Sequence, residues 1–362
     1  MQKRHLPGLG QEVSAIGAGC WTIGGLATNR GTPIGWQGVS AQKAFEGLCH
    51  AFDLGVTLYD TADVYGLGRS ERLLGRLLAQ VDRSRLTVSS KVGYFAGTAA
   101  HPYVQAQILR QFATTCENLG TDYLDVYFLH STDFGPDDQH LDEAVETLRR
   151  LRREGSVRAL GMRAPHEFAE EWAQEPGHPQ ADGTARFLEL FGRIRPDVLT
   201  VRHNMLSPVY GPSETDIFAF ARRHGVGVLI KQALGQGLLL AAHTPERPPT
   251  FPTGDHRRGD SRFSASSLAV VHAGLDDIGR RFGSTRADRI RVALGYALAA
   301  DPSAAVLVGF RDAEQINANL TSIGEPLSPQ DIGEIRTAMS LVRDKLFPHQ
   351  TTHPNTVEST TC

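Results

Sequence analysis

Eight short apolar runs, each ending in polar or glycine residues and each followed by a stretch of helical character, constrain this chain more than any other feature. They are VSAIGAG from Val13, VTLYDTA from Val56, LTVSSKVG from Leu86, YLDVYFLH from Tyr123, VRALGMR from Val157, DVLTVRHN from Asp197, VGVLIKQ from Val226 and AAVLVGF from Ala304. The runs are apolar at both odd and even positions, as parallel strands covered on both faces must be. Segments between them, such as SERLLGRLLAQV and LDEAVETLRRLRRE, repeat apolar residues with the period of an amphipathic helix. Alternation of this kind builds βαβ units, and eight of them predict a closed (β/α)8 TIM barrel of α/β class. The competing topology is an open doubly wound sheet. Its dinucleotide-binding form carries G-x-G-x-x-G after a strand, and the nearest segment, GLGRSERLLG, lacks the third glycine at the required spacing.

One barrel absorbs the length of 362 residues. We assign residues 1–346 to a single barrel domain and 347–362 to a frayed tail, in which Cys362 is an exposed bystander. The surplus falls into extended loops after the first and seventh strands: LATNRGTPIGWQGVS from Leu26, and HTPERPPTFPTGDHRRGDSR from His243, too rich in proline and glycine for regular structure. Both follow strand C-terminal ends, the face on which barrels carry their active-site loops.

Composition narrows the partners. With 37 basic and 40 acidic residues the formal net charge is −3, which offers no strong field for nucleic acid or anionic lipid. No apolar run approaches the ~20 residues of a membrane span, and no apolar stretch follows the basic residues near the N-terminus. Cys20, Cys49, Cys116 and Cys362 are widely spaced and form no C-x-x-C pair, which predicts a reducing, cytoplasmic setting and no zinc site. The histidines show no ligand spacing such as H-E-x-x-H, so no metal is expected. A small-molecule substrate remains, and an oligomer is compatible with all of this.

Chemistry in a barrel sits at the strand ends. The second run ends in Asp60, with Tyr65 five residues on; the third ends near Lys91 and the fourth in His130. Taken singly each has a bland reading: a helix-capping Asp, a solvated Lys, a packed His and a packed Tyr. Together, three ionisable groups at one rim are expensive to bury unless they pair. Their combined logic is acid catalysis on a carbonyl. A free phenol has a pKa of roughly 10 and is a poor donor at neutral pH. A neighbouring Lys91 ammonium favours the phenolate, Asp60 orients that ammonium, and His130 hydrogen-bonds the substrate oxygen. Such a site protonates an alkoxide as it forms, and a separate group has to deliver hydride.

The segments GVTLYDTADVYGLGRSERLLGRLL, LTVSSKVG, YLDVYFLH, REGSVRALGM, GVGVLIKQALGQGLL and VLVGFRDAEQINANL resemble, in order and spacing, the successive signatures of the aldo-keto reductase superfamily, from about Leu9 to Leu341. The resemblance implies a barrel that binds NADPH without a Rossmann motif and a catalytic tetrad at Asp60, Tyr65, Lys91 and His130. It places the adenosine 2′-phosphate and adenine at Gly309, Phe310, Arg311, Gln315 and Asn319, and the pyrophosphate at Leu234, Gly235, Gln236 and Gly237. The start of the helix RDAEQINANL also offers backbone N–H groups that favour a phosphate, with Arg311 as the phosphate fork. Trp21, Asp60, Arg163 and Lys231 complete the expected cofactor contacts.

Three customary nicotinamide contacts differ. Arg163-Ala164 stands for the family's Ser-Asn, Thr200 for its Gln, and Lys231 for its stacking aromatic residue. Trp21, Trp36, Tyr94, Phe95 and Phe134 are the expected substrate wall, suited to an apolar or sugar-like carbonyl compound. Arg257, Arg258 and Arg262 read as a solvated loop. The leading expectation is an NADPH-dependent reductase of an aldehyde or ketone. The alternatives are an NADP(H)-binding auxiliary or regulatory subunit of low turnover, and a sugar dehydrogenase or epimerase.

Overall fold

A computed structural model describes residues 1–347; Cys362 and nearly all of the expected tail lie outside them. The chain opens with a hairpin, β1 (Lys3–Leu6) and β2 (Gln11–Ser14), and then enters β3 (Ile16–Gly19). A two-strand ribbon, β4 (Thr28–Asn29) and β5 (Thr32–Pro33), follows in the first long loop. Strands and helices alternate thereafter: α1 (Ala41–Asp53), β6 (Leu58–Asp60), α2 (Arg69–Leu78), β7 (Thr87–Val92), α3 (Gln105–Leu119), β8 (Leu124–Leu129) and α4 (Leu141–Arg153). Next come β9 (Val157–Arg163), α5 (Ala181–Ile194), β10 (Val198–Arg202), α6 (Ile217–Arg223) and β11 (Gly227–Lys231). The chain continues through α7 (Ala265–Phe282), α8 (Arg286–Leu298), β12 (Ala305–Gly309), α9 (Ala313–Thr321) and α10 (Pro329–Leu346).

Strands β3 and β6 to β12 form a closed barrel in the order β3-β6-β7-β8-β9-β10-β11-β12. Every pairing is parallel, so the (β/α)8 barrel is the observed fold. Each of the eight apolar runs supplies one barrel strand. The first run is divided: Val13 and Ser14 end the hairpin, and the barrel strand starts at Ile16.

Alternation along each strand sorts the side chains. Leu58, Val126, Phe128, Ala159, Val198, Leu229, Ala305 and Leu307 fill the barrel interior, joined by Leu6 and Val13 of the hairpin, which plugs the N-terminal end. Residues of the opposite parity, such as Tyr59, Val88, Tyr127, Leu160, Leu199 and Ile230, pack outward under the helices. Burial on both faces is why both parities are mostly apolar.

The interior leaves no spare room at Gly161, where a Cβ would lie 2.1 Å from Phe128 Cδ1. Gly161→Ala should therefore destabilise the barrel by overpacking, by about 1–3 kcal/mol. Urea unfolding followed by tryptophan fluorescence checks this; an unchanged midpoint would contradict the packing.

Two features stand outside the eight units. Helices α7 and α10 pack on each other with α8 around a second apolar cluster containing Val271, Leu275, Ile278, Ile335, Met339 and Val342. The two long loops are also fastened together across the barrel mouth. Gly35 N–H donates to Gly254 O at 2.8 Å, His256 N–H to Gly35 O at 2.9 Å, and Gln37 N–H to Asp255 Oδ2 at 2.9 Å. Among the described residues no helix is long and apolar enough to cross a membrane.

Candidate active site

The inward parity that fills the core with Leu58, Val126 and Phe128 continues upward to Asp60, Lys91 and His130, so the last inward position of three adjacent strands is polar. All three are buried. Lys91 Nζ donates to Asp60 Oδ2 at 2.7 Å and to Thr61 O at 2.7 Å, and Asp60 Oδ1 accepts from Ser89 Oγ at 2.6 Å. Each charge therefore has two partners, which is what makes the pair affordable in a dry site. Tyr65 lies in the turn between β6 and α2, 6% exposed, with Lys91 Nζ 4.7 Å from its ring centroid. The Tyr65 and His130 rings meet edge to face at 5.9 Å.

His130 is held well below the usual histidine pKa by burial first, then by Lys91, Lys231 and Arg163. It is neutral at physiological pH, and its Nδ1 has no hydrogen-bond partner among the described residues. Cys20, fully buried beside this floor, has its thiol pKa pushed up by burial and then by Asp60, as befits an inert packed residue.

These groups form one end of a cavity of about 390 Å³. Trp21, Trp36 and Lys231 also line it. At its far end stand Leu234, Gln236, Gly237, Gly309, Phe310, Arg311, Gln315 and Asn319. Gly235 is buried and supports this wall without lining it. The turn Gly235–Gln236–Gly237 has positive φ throughout, 57°, 59° and 97°, and a Cβ on Gly237 would meet nothing within 4 Å, so backbone is open to the cavity there. Asn319 Nδ2 donates to Gly309 O at 3.2 Å, and Arg311 N–H to Gln315 Oε1 at 3.2 Å. The start of α9 is less open than its sequence suggests. The Asp312 carboxylate caps it by accepting from Gln315 N–H at 2.8 Å, which leaves Arg311 as the main anion-seeking group at this end.

Other expected residues fall elsewhere. Phe134 does not reach the cavity: it is 1% exposed and stacks on Tyr103 at 4.6 Å, because the segment after β8 turns this ring into the core. Phe95 is exposed. Tyr94 lies against the His130 ring at 4.7 Å, and its hydroxyl accepts from Arg163 Nη1 at 3.3 Å. Neither Tyr94 nor Arg163 lines the cavity, whereas Thr200 does.

The clearest correction concerns Arg257. It is 8% exposed, forks onto Asp255 and lies 4.2 Å from the ring centroids of both Trp36 and Phe251. A pairing carboxylate two residues away and an aromatic pocket outweigh hydration. Arg258 is exposed, and Arg262 is paired with Asp260.

Several cavity residues escaped sequence reasoning. Thr22 both donates to Phe310 O and accepts from Phe310 N–H, tying the first loop to the end of β12. Gln37, His243 and Arg286 also line the cavity. Behind them His256, which does not itself line the cavity, is sandwiched between Trp21 at 4.3 Å and Trp36 at 4.6 Å. None of these stands at a strand end, so a search of strand ends does not reach them.

Fold and site together define an α/β barrel with a small-molecule cavity at the C-terminal ends of its strands. Residues 15–339 match the Aldo/keto reductase family, and the chain belongs to it. That family uses nicotinamide cofactors and small carbonyl substrates. The chain is 25% identical to an L-galactose dehydrogenase of Arabidopsis thaliana, over 96% of this chain and 97% of that one. It is 24% identical to an NADH-specific methylglyoxal reductase of Escherichia coli, over 88% and 92%. The solved glycerol dehydrogenase of Gluconobacter oxydans superposes with a TM-score of 0.70 at 23% identity, covering 98% of each chain.

Proposed function

We propose that the protein is an NADPH-dependent reductase of an aldehyde or ketone, with Tyr65 as the general acid. One observation carries this reading. The Asp60–Lys91 pair, Tyr65 and neutral His130 meet at one end of a single cavity whose other end carries Arg311, Gln315 and Asn319. The residues present fit a phosphorylated dinucleotide: Asp60 is the only acidic side chain among the described residues lining the cavity, against Lys91, Lys231, Arg257, Arg286 and Arg311. Leu234 to Gly237 would hold the pyrophosphate through exposed backbone, Gly309 and Phe310 would seat the adenosine, and Arg311 would read the 2′-phosphate. NADPH supplies hydride when bound.

The chain's own residues manage the proton and the oxygen. Tyr65 gives its proton to the substrate oxygen, and the Lys91 ammonium stabilises the phenolate left behind. Asp60 and Thr61 O hold that ammonium in place. Neutral His130 orients the carbonyl oxygen without competing as a cation. Trp21 and Trp36 exclude water from the same end.

The methylglyoxal relative is NADH-specific by name, so cofactor choice needs its own experiment. Arg311→Leu should weaken NADPH by roughly ten- to a hundredfold, the worth of a hydrogen bond to a charged group, and leave NADH nearly unchanged. Fluorescence titration of both cofactors measures this, and equal losses would show that Arg311 does not read the 2′-phosphate. Cofactor consumption across a panel of aldehydes, ketones and sugars, run in both directions, tests the reaction itself. The L-galactose relative makes sugar oxidation the outcome to set against carbonyl reduction.

A further inference from the structure

One ring nitrogen of His130 has nothing to hold it: Nδ1 is buried without a hydrogen-bond partner among the described residues. An active-site histidine is ordinarily oriented by the hydrogen bond that its second ring nitrogen makes. Here two aromatic rings border the imidazole instead. Tyr65 meets it edge to face at 5.9 Å, and Tyr94 does so at 4.7 Å with 71° between the planes. Edge-to-face pairs have a preferred geometry, so a neighbour that is itself fixed also fixes the imidazole plane.

Tyr94 is fixed in three ways. Its carbonyl oxygen accepts from Asn29 Nδ2 at 2.8 Å, which fastens the loop after β7 to the ribbon in the loop after β3. Its ring packs against the apolar cluster of Ile34, Ala62, Val64 and Tyr65. Its hydroxyl accepts from Arg163 Nη1 at 3.3 Å. Arg163 ends β9, where a cofactor contact is expected, yet it does not line the cavity, whereas its register partner Thr200 does. The other arm of the guanidinium, Nη2, lies 3.0 Å from His166 Nε2. A guanidinium only donates, so this Nε2 accepts and the His166 imidazole is neutral. Its pKa is pushed down to about 2, by burial first and then by Arg202, Arg163, Lys231 and Arg262. With both arms of its planar fork engaged, Arg163 is a stiff support for the Tyr94 hydroxyl.

We infer that Arg163 and Tyr94 are positioning residues: Arg163 pins the Tyr94 hydroxyl, and the pinned ring sets the plane of the His130 imidazole that meets the carbonyl oxygen. The inference rests on the reductase reading. Neither residue lines the cavity, so both act through His130. A displacement of about 1 Å in a group that orients the substrate costs roughly a hundredfold in rate, which sets the scale of the effect.

Substitutions in the NADPH-loaded enzyme, assayed with an accepted aldehyde at saturation, test it. Tyr94→Leu removes the ring and should lower kcat by roughly ten- to a hundredfold, with NADPH affinity kept within a factor of about two. Tyr94→Phe and Arg163→Met delete the same hydrogen bond. Each should lower kcat by roughly three- to tenfold, and the double variant should be no worse than either. Arg163→Lys should recover part of the loss. In a His130→Ala background, Tyr94→Leu should cost nothing further, because the ring it supports is gone. An equal second loss in that background would make Tyr94 general packing and overturn the inference. Undiminished kcat in Tyr94→Leu would overturn it too, and both results leave the reductase reading standing.

The proton resonances of the His130 ring, assigned by their loss in His130→Ala, require no turnover. They feel the ring current of Tyr94, so Tyr94→Phe and Arg163→Met should shift them by similar amounts. Unchanged His130 resonances in both variants would overturn the positioning role. Absence of turnover with every carbonyl would overturn the reductase reading, and the resonances then decide by themselves whether Arg163 and Tyr94 hold the ring.

Discussion

Tyr65→Phe is expected to lower kcat by roughly a hundred- to ten-thousandfold while leaving NADPH affinity within a factor of about two, the range spanned by loss of a general acid. The substitution removes one oxygen and keeps the ring, so it spares the packing of Tyr65 against Trp21 and His130 and the cation over its face. Nothing else in the floor is placed to give the proton. His130 is neutral through burial and the neighbouring cations, and protonating it runs against the same field. Lys91 is held by Asp60 and Thr61 O. Single-turnover mixing of NADPH-loaded enzyme with an accepted aldehyde separates the proton-coupled step from binding, and fluorescence titration reports the cofactor. Undiminished turnover would remove Tyr65 from the reaction and with it the proposed mechanism. A loss confined to KM would make the hydroxyl a binding contact.

The sequence shows the barrel clearly because a parallel strand buried on both faces leaves a continuous apolar run, and a strand end with chemistry breaks that run with a polar residue. Asp60, Lys91 and His130 are legible for this reason, each being the polar break at an inward position. Residues whose setting depends on distant neighbours are not. Arg257 sits in a segment whose proline, glycine and arginine read as solvated, and its burial requires Trp36, some 200 positions earlier, to meet it across the mouth. Phe134 follows His130 closely enough to suggest the cavity, yet Tyr103 on another segment claims its ring. The hairpin plug is hidden for a different reason: Val13 belongs to the apolar run that becomes β3, and only a bend at Ala15 separates β2 from β3. Arg163 and Thr200 look unrelated along the chain because cross-strand neighbours are separated there by a whole helix and its loops.

Lys91→Met should lower both activity and stability, and the second effect reveals the first one's cause. Lys91 and Asp60 are 4% and 5% exposed with N and O 2.7 Å apart. Truncating the cation leaves Asp60 buried with Ser89 as its remaining side-chain donor, a loss of about 3–5 kcal/mol for a broken buried pair. Asp60→Asn in the same chain removes the stranded charge. The double variant should therefore be more stable than Lys91→Met alone, a non-additivity of the kind expected for residues in contact. Activity should not follow, because neither variant restores a cation beside the Tyr65 ring to stabilise the phenolate. Urea unfolding and kcat measured on all four proteins of the cycle give the comparison. Recovery of stability without activity assigns Lys91 a chemical role and Asp60 the role of holding it. Recovery of both would mean that the ammonium serves only to neutralise Asp60, and the acid would then need no tuning from Lys91.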